Sequence, residues 1–361
     1  MDESDEILLK LALTPAIGSR KVARLLEAFG TTLAVWSASA RDWAVEAELP
    51  PSLHLAAHSR HVALDAQRVQ KSCRELNIGI LSLANPSYPG ALAAIYDPPP
   101  VLYVRGTLPS PRLLDRSIAI VGTRKASSHG LSFTYRLAAE LSAAGAVVVS
   151  GLAAGIDAEA HRAVVESGAI GVAVLPGGLD TIHPPVNRRL GESLCGKGCL
   201  VSEHPPGTSL RRGFFVGRNR IISGLSRVVA VIEAGEKSGA LITAEFATEQ
   251  NRTIFVMPGR PGDPRVAGTL PLLRDGAWPL LSSVDIATEL GLNFEPVTRS
   301  LLLELGDDGT LFALGGASFD AIMAKSGLSP SQLFSTLGML ELAGRIRRGP
   351  DGHYYPKTGQ N

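Results

Sequence analysis

Cysteine is scarce and unpaired: Cys73, Cys195 and Cys199 form no CxxC motif and leave an odd thiol. That pattern fits a reducing compartment and excludes a small disulfide-stapled scaffold. Aromatic residues make up only 5% of the chain, so the core is expected to be mostly aliphatic. No sign of charge dominates: 35 basic side chains face 34 acidic ones, and a formal charge of +1 supplies no global field for a polyanion. Any nucleic-acid site must therefore be a local patch. The longest uncharged apolar stretch, Leu141 to Ile156, is too short for a membrane span and is broken by Gly145, Gly151 and Gly155. No transmembrane helix or membrane partner is expected. The acidic start Met1-Asp2-Glu3-Ser4-Asp5-Glu6 stands where a signal peptide needs a basic segment, which reads as cytoplasmic.

What is present is a 361-residue chain with 45% hydrophobic residues, enough for two to three domains at about 150 residues each. Residues 1–80 read as a small helical domain of SAM or helix-hairpin-helix type. Ile7, Leu8 and Leu11, then Val22, Leu25, Leu26 and Phe29, follow the helical period, and Gly30 is placed as a stop. The turn Thr14 to Lys21 is either a plain interhelical turn or a hairpin whose N–H groups meet a DNA phosphate, although Ala16 stands where a second glycine is expected. Proline-rich passages at Asp97 to Val101 and Pro109 to Arg112 mark a change of fold.

Within residues 81–295 short β-branched runs alternate with amphipathic helices: Ile118 to Val121, Ala146 to Ser150, Ile170 to Leu175, Leu200 to Ser202, Val228 to Glu233 and Thr253 to Met257. Strands apolar on both faces predict an α/β, Rossmann-like, doubly wound parallel sheet. Residues 298–361 predict a winged helix: a helix from about Arg299, a second from Phe319 to Ser326, a Gly327 stop, Ser329-Pro330 opening a third, then a hairpin through Arg345 to Arg348, Pro350 and His353 to Tyr355. Pro330 to Ala343 carries no basic residue, so this helix is expected to meet a protein rather than read a groove, with Arg345, Arg347 and Arg348 left for phosphate.

Ligands of such sheets bind beyond the carboxyl ends of the strands. After the first parallel strand, Gly122, Arg124, Ser127 and Ser128 form a loop able to hold an anion with N–H groups, hydroxyls and a guanidinium. No GxGxxG follows that strand and Ser150 ends the next, so a nicotinamide cofactor is not expected, nor any other. Gly191 to Lys197 imitates a phosphate loop, but Gly198 replaces its Mg²⁺-binding hydroxyl and the string ends a helix. His54, His58 and His61 share helical spacing without an accompanying carboxylate or thiol. A solvated face is the expectation, and no metal. Asp157 and Asp180 read as helix N-caps ahead of general acids.

Arg211 to Arg220 holds four arginines, Phe214, Phe215 and Asn219, with no acid before Glu233. Arginines that neutralise phosphate beside rings that stack on bases suit a single strand. Gly213 and Gly217 predict an extended segment.

Read together, the loops resemble the DNA-processing protein A family (DprA/Smf). The resemblance rests on Gly122 to Ser127, Ser150 to His161, Gly178 to Asn187, Ser202 to Gly207, Arg218 to Ser226 and Lys237 to Glu245, six stretches in family order. It implies a non-enzymatic mediator of recombination in natural transformation, which binds single-stranded DNA, forms a homodimer and helps load RecA recombinase. The family's DNA pocket carries over to Arg124, Phe214, Phe215, Arg218, Asn219, Arg220, Lys237 and Ser238. Two stretches depart from its pattern: Phe215-Val216-Gly217, where the family has Phe-Pro, and Gly268-Thr269-Leu270, where it has Gly-Thr-Asn. The alternative is a nucleotide-processing enzyme similar to the phosphoribohydrolases. Its likeness stops at Leu179, after Pro176-Gly177-Gly178, where the expected Gly-Thr and Glu do not follow.

Overall fold

The computed structural model describes residues 1–292, 316–326, 330–342, 346–349 and 351–356. They form two compact units that divide at Leu292.

The first unit is built on a nine-stranded sheet: β1 (Ile78–Ser82), β2 (Val101–Gly106), β3 (Ser117–Val121), β4 (Val147–Ser150), β5 (Gly171–Val174), β6 (Cys199–Ser202), β7 (Val228–Val231), β8 (Thr253–Val256) and β9 (Trp278–Pro279). Their order is β1-β2-β6-β5-β4-β3-β7-β8-β9. From β6 to β9 the strands are parallel, while β1 and β2 add an antiparallel edge. The fold is α/β and Rossmann-like, and the six runs read from the sequence are its six central strands. β3 to β7 are buried along their whole length, as sheets covered by helices on both faces require. The core between sheet and helices is aliphatic, with Val147, Val149, Val172, Val174, Val229 and Val231 fully buried or nearly so.

Six helices from Glu3–Leu13 to Arg60–Glu75 precede β1. They pack onto the sheet edge: Ser82 at the end of β1 donates from Oγ to the buried Asp5 carboxylate at 2.6 Å. The boundary expected near residue 80 thus falls inside β1, and residues 1–292 make one compact unit. In the turn between the first two helices, Ala16 adopts φ +64°, the left-handed region that favours glycine, and Lys21 Nζ donates to its carbonyl at 2.8 Å.

In the second unit, helices Phe319–Ser326 and Pro330–Leu342 are followed by a hairpin of β10 (Ile346–Arg348) and β11 (Tyr354–Pro356). Ile322, Leu333, Leu337, Leu340, Ile346 and Tyr354 form its core. The expected helix near Arg299, the Gly327 stop, the Ser329 cap, Arg345 and Pro350 lie outside the described residues.

Candidate nucleic-acid interface

From β3 the chain runs through β4, β5 and β6 in one direction, then returns to place β7 on the other side of β3. The loops after β3 and β7 therefore separate at the carboxyl edge, which opens a crevice at this switch point. A cleft of about 1030 Å³ lies there. It is lined by Gly122 to Lys125, by Leu210, Arg211, Arg212, Phe215, Val216, Arg218 and Asn219, and by Gly235 to Ala240 with Ile242 and Thr243, with Asp157 and His183 beside them. Arg124, Lys125, Arg211, Arg212, Arg218 and Lys237 supply six positive charges to its wall, against Asp157 and Glu236. This is a local patch of positive charge in a chain of formal charge +1.

The segment expected to be extended is a helix, Arg212–Gly224. Each glycine in a helix costs about 1 kcal/mol, but burial of Ile221 and Ile222 in the main core outweighs it at roughly 1.5–3 kcal/mol per side chain. Gly224 is needed for the packing, since a Cβ there would stand 2.6 Å from Leu92. The helix sorts the predicted residues by face. Phe215 is half-buried in the cleft, with the Arg124 guanidinium 5.8 Å from its ring centroid and His183 edge-on at 5.7 Å. Phe214 lies outside the cleft lining, 3.9 Å from the His204 ring.

Arg218 is 6% exposed and forms the floor of the cleft. Its Nη1 donates to Gly151 O at 2.6 Å and to Val174 O. A Cβ at Gly151 would fall 2.2 Å from that Nη1, so only glycine admits the guanidinium. Burial pulls the Arg218 pKa down to about 10 against the attraction of Asp157, and the side chain stays cationic at neutral pH. Asn219 donates from Nδ2 to Gly239 O at 3.1 Å and so fixes the loop that carries Lys237. Ser238 caps the helix Gly239–Glu249, accepting from Ala240 N, and also lines the cleft.

Arg220 departs from the phosphate-holding role expected of it. It is 4% exposed, grips the Glu203 carboxylate at 2.9 and 2.7 Å, meets Asp97 Oδ2 at 3.0 Å and donates to Ser19 Oγ at 3.4 Å. Helical geometry explains this: Arg220 faces away from the cleft, toward the Asp97 passage and the loop after β6. Burial alone would lower its pKa, but the Glu203 and Asp97 carboxylates outweigh it and hold the guanidinium charged.

The loop after β3 also differs from the expected anion cradle. Thr123 N donates to Glu233 O, Lys125 N to Thr123 Oγ1, and Ser127 N and Oγ to the Glu233 carboxylate. Three of its N–H groups, those of Thr123, Lys125 and Ser127, and the Ser127 hydroxyl are thus taken up internally, which leaves less of the loop for an anion. Gly122 lines the cleft, whereas Ser127 caps the helix Ser128–Ala143 and Ser128 is exposed outside the lining. Asp157 is not an N-cap, a position held by Gly155. Fully buried, its carboxylate accepts from Gly151 N and Ala153 N at 3.2 and 3.4 Å. Asp180 accepts from Gly207 N at 2.9 Å, joining two loops, and Leu179 before it is buried.

Lys125 and His183 line the cleft without having been expected there, and Glu233, unexpected too, holds the loop after β3 from outside the lining. Glu233 was legible as the acid that ends an apolar strand, but its partner Ser127 lies 106 residues away. His54 and His58 stack on each other at 4.1 Å, with Trp36 stacked on His58, and His61 pairs with Asp65 on the next helix. The three do not share a solvated face. Among the described residues no cluster of three or more metal-ligating side chains occurs.

Residues 79–291 match the family profile described as DNA recombination-mediator protein A, and residues 295–352 that of the DprA winged helix domain. The chain belongs to the DNA recombination-mediator protein A family. It is 43% identical over 220 residues to protein Smf of Synechocystis sp., which covers 60% of this chain and 55% of that one. It is 41% identical over 225 residues to the DNA processing protein DprA of Bacillus subtilis, covering 62% and 75%. The X-ray structure of Streptococcus pneumoniae DprA superimposes with a TM-score of 0.69 at 30% identity, over 82% of this chain and 99% of that one. A Helicobacter pylori DNA processing protein A structure, described for its single-stranded DNA binding mode, gives 0.53 at 32% identity, over 60% and 97%.

The two departures from the DprA pattern have definite places. Val216, where the family has proline, is on the cleft wall and 42% exposed, next to the ring of Phe215. Gly268 donates to Ala234 O at 2.9 Å and a Cβ there would stand 2.7 Å from Gly235 O, so this glycine lets two loops meet behind Lys237.

Proposed function

We infer that this chain binds single-stranded DNA in the switch-point cleft without hydrolysing it, and acts in the cytoplasm as a mediator that protects incoming DNA during natural transformation. The observation that carries this is the convergence of six cations and the Phe215 ring on one cleft in a chain of formal charge +1. Guanidinium and ammonium groups neutralise phosphate, while the ring and the neighbouring Leu210 and Val216 offer an apolar face to a base. A duplex hides its base faces, so this combination favours the single strand. The one buried acid at the cleft, Asp157, is tied to loop amides and the Arg218 charge, which supports binding over catalysis. Self-association and assistance to RecA loading rest on membership of the family.

Gel shifts on matched single- and double-stranded oligonucleotides test the reading, with wild type, Arg124→Ala and Lys237→Ala. Single strands should bind more tightly, and each exposed cation removed should cost roughly tenfold at low salt. With about four phosphates neutralised, log K should fall against log salt with a slope near −3. Equal affinity for both forms with a flat salt response would overturn it.

A further inference from the structure

In an open parallel sheet, the amino end of the helix after the switch-point strand is where a nucleotide phosphate is held by N–H groups and small hydroxyls. In this fold that place follows β3, at the start of the helix Ser128–Ala143, and it is filled from within. Glu233, just beyond β7, is 4% exposed and lays its carboxylate there. Oε2 accepts from Ser127 N at 2.9 Å, Oε1 accepts from Ser127 Oγ at 2.5 Å, and its carbonyl accepts from Thr123 N at 2.6 Å. The backbone is cut to fit the acid. A Cβ at Gly130 would stand 2.7 Å from Glu233 Cδ and 2.9 Å from both carboxylate oxygens. Glu233 does not line the cleft, and DNA binding as described above makes no use of it.

We propose that Glu233 is a built-in anion that takes the place of a nucleotide phosphate at the switch point, and so bars free phosphate and mononucleotides from the Rossmann frame. A second anion entering beside the carboxylate would meet like charge and find the Ser127 donors engaged. The rim cations are left to a polymer whose phosphates need not enter the frame. This role concerns the frame itself, and its test contains no DNA.

The test compares thermal melting of the full chain in sodium phosphate and in sodium chloride at matched pH and ionic strength. In Glu233→Ala the Ser127 donors lose their acceptor. The variant should melt below wild type in chloride and regain at least half of that loss in about 50 mM phosphate, while wild type shifts by less than about 1 °C. If the alanine variant is unfolded in chloride, recovery of its helical circular dichroism in phosphate supports the proposal. A variant indifferent to phosphate, folded or not, overturns it. Glu233→Gln, which refills the space with a neutral amide, should lose stability and gain nothing from phosphate. A gain equal to that of the alanine variant would mean that phosphate acts elsewhere, and would also overturn the proposal.

Discussion

Arg211 and Arg212 stand in solvent at the mouth of the cleft, whereas Arg218 and Arg220, two turns along the same segment, are buried on the floor and behind it. The four are chemically identical, and what separates them is the acceptors each one meets. Arg218 meets backbone carbonyls and Arg220 meets Glu203 and Asp97, while the outer pair is exposed, Arg211 lying over the Phe214 ring. A run of arginines thus divides into an exposed half and a buried half, and substitutions should separate the two. The largest effect on stability belongs to the buried half. Arg220→Ala leaves Glu203 and Asp97 facing a void, and should cost about 3–5 kcal/mol of stability. Thermal melting checks this: a midpoint within about 2 °C of wild type would show that the buried network carries nothing.

The buried interior also contains a group that yields its charge where Arg218 keeps it. Burial holds the His161 imidazole well below its ordinary range, at about 3. Between roughly pH 6.5 and pH 3 the unfolded chain therefore binds a proton that the folded chain refuses, so stability rises with pH across that window and is lost on acidification. The slope attributable to this residue is roughly 1 kcal/mol per pH unit. Denaturant melts from pH 4 to 7 should show it in wild type and show a shallower slope in His161→Gln. Equal slopes in the two proteins would remove His161 from the acid sensitivity.

The parallel sheet, its six central strands and the loops that carry the site were readable because β-branched runs and glycine-rich turns are local signals. The edge strands were not. β1 and β2 pair antiparallel across a proline-rich passage, and β9 has two residues, too few to show a period. The helical state of Arg212–Gly224 was hidden by Gly213 and Gly217, whose propensities point away from a helix, while the deciding contacts with the sheet core are tertiary. Arg220 was misplaced for a related reason, since Ser19, Asp97 and Glu203 are scattered over the sequence.

The two phenylalanines repeat the arginine comparison on a smaller scale. Phe215 lines the cleft beneath Arg124, and Phe214 rests on His204 outside it. Phe215→Ala should weaken single-strand binding by about 1–3 kcal/mol. Phe214→Ala should leave affinity within about twofold, since it removes no stacking face from the cleft. Fluorescence anisotropy with a short oligothymidine distinguishes them, and equal losses would show that the cleft wall does not select between the rings.

The smallest effect tests the backbone far from the cleft. Ala16 and Gly30 both adopt positive φ, +64° and +77°, yet only one of them is glycine. An alanine in the left-handed region costs roughly 1 kcal/mol, partly offset by the stiffer unfolded chain it confers. Ala16→Gly should thus raise stability by about 0.5 kcal/mol. Gly30→Ala, with no atom within 4 Å to oppose the added methyl, should lower it by about 1 kcal/mol through conformation alone. Opposite shifts of the melting midpoint are the expected result. If Ala16→Gly is neutral or destabilising, the Lys21 hydrogen bond to the Ala16 carbonyl already holds the turn, and the residue type at this position carries no strain to relieve.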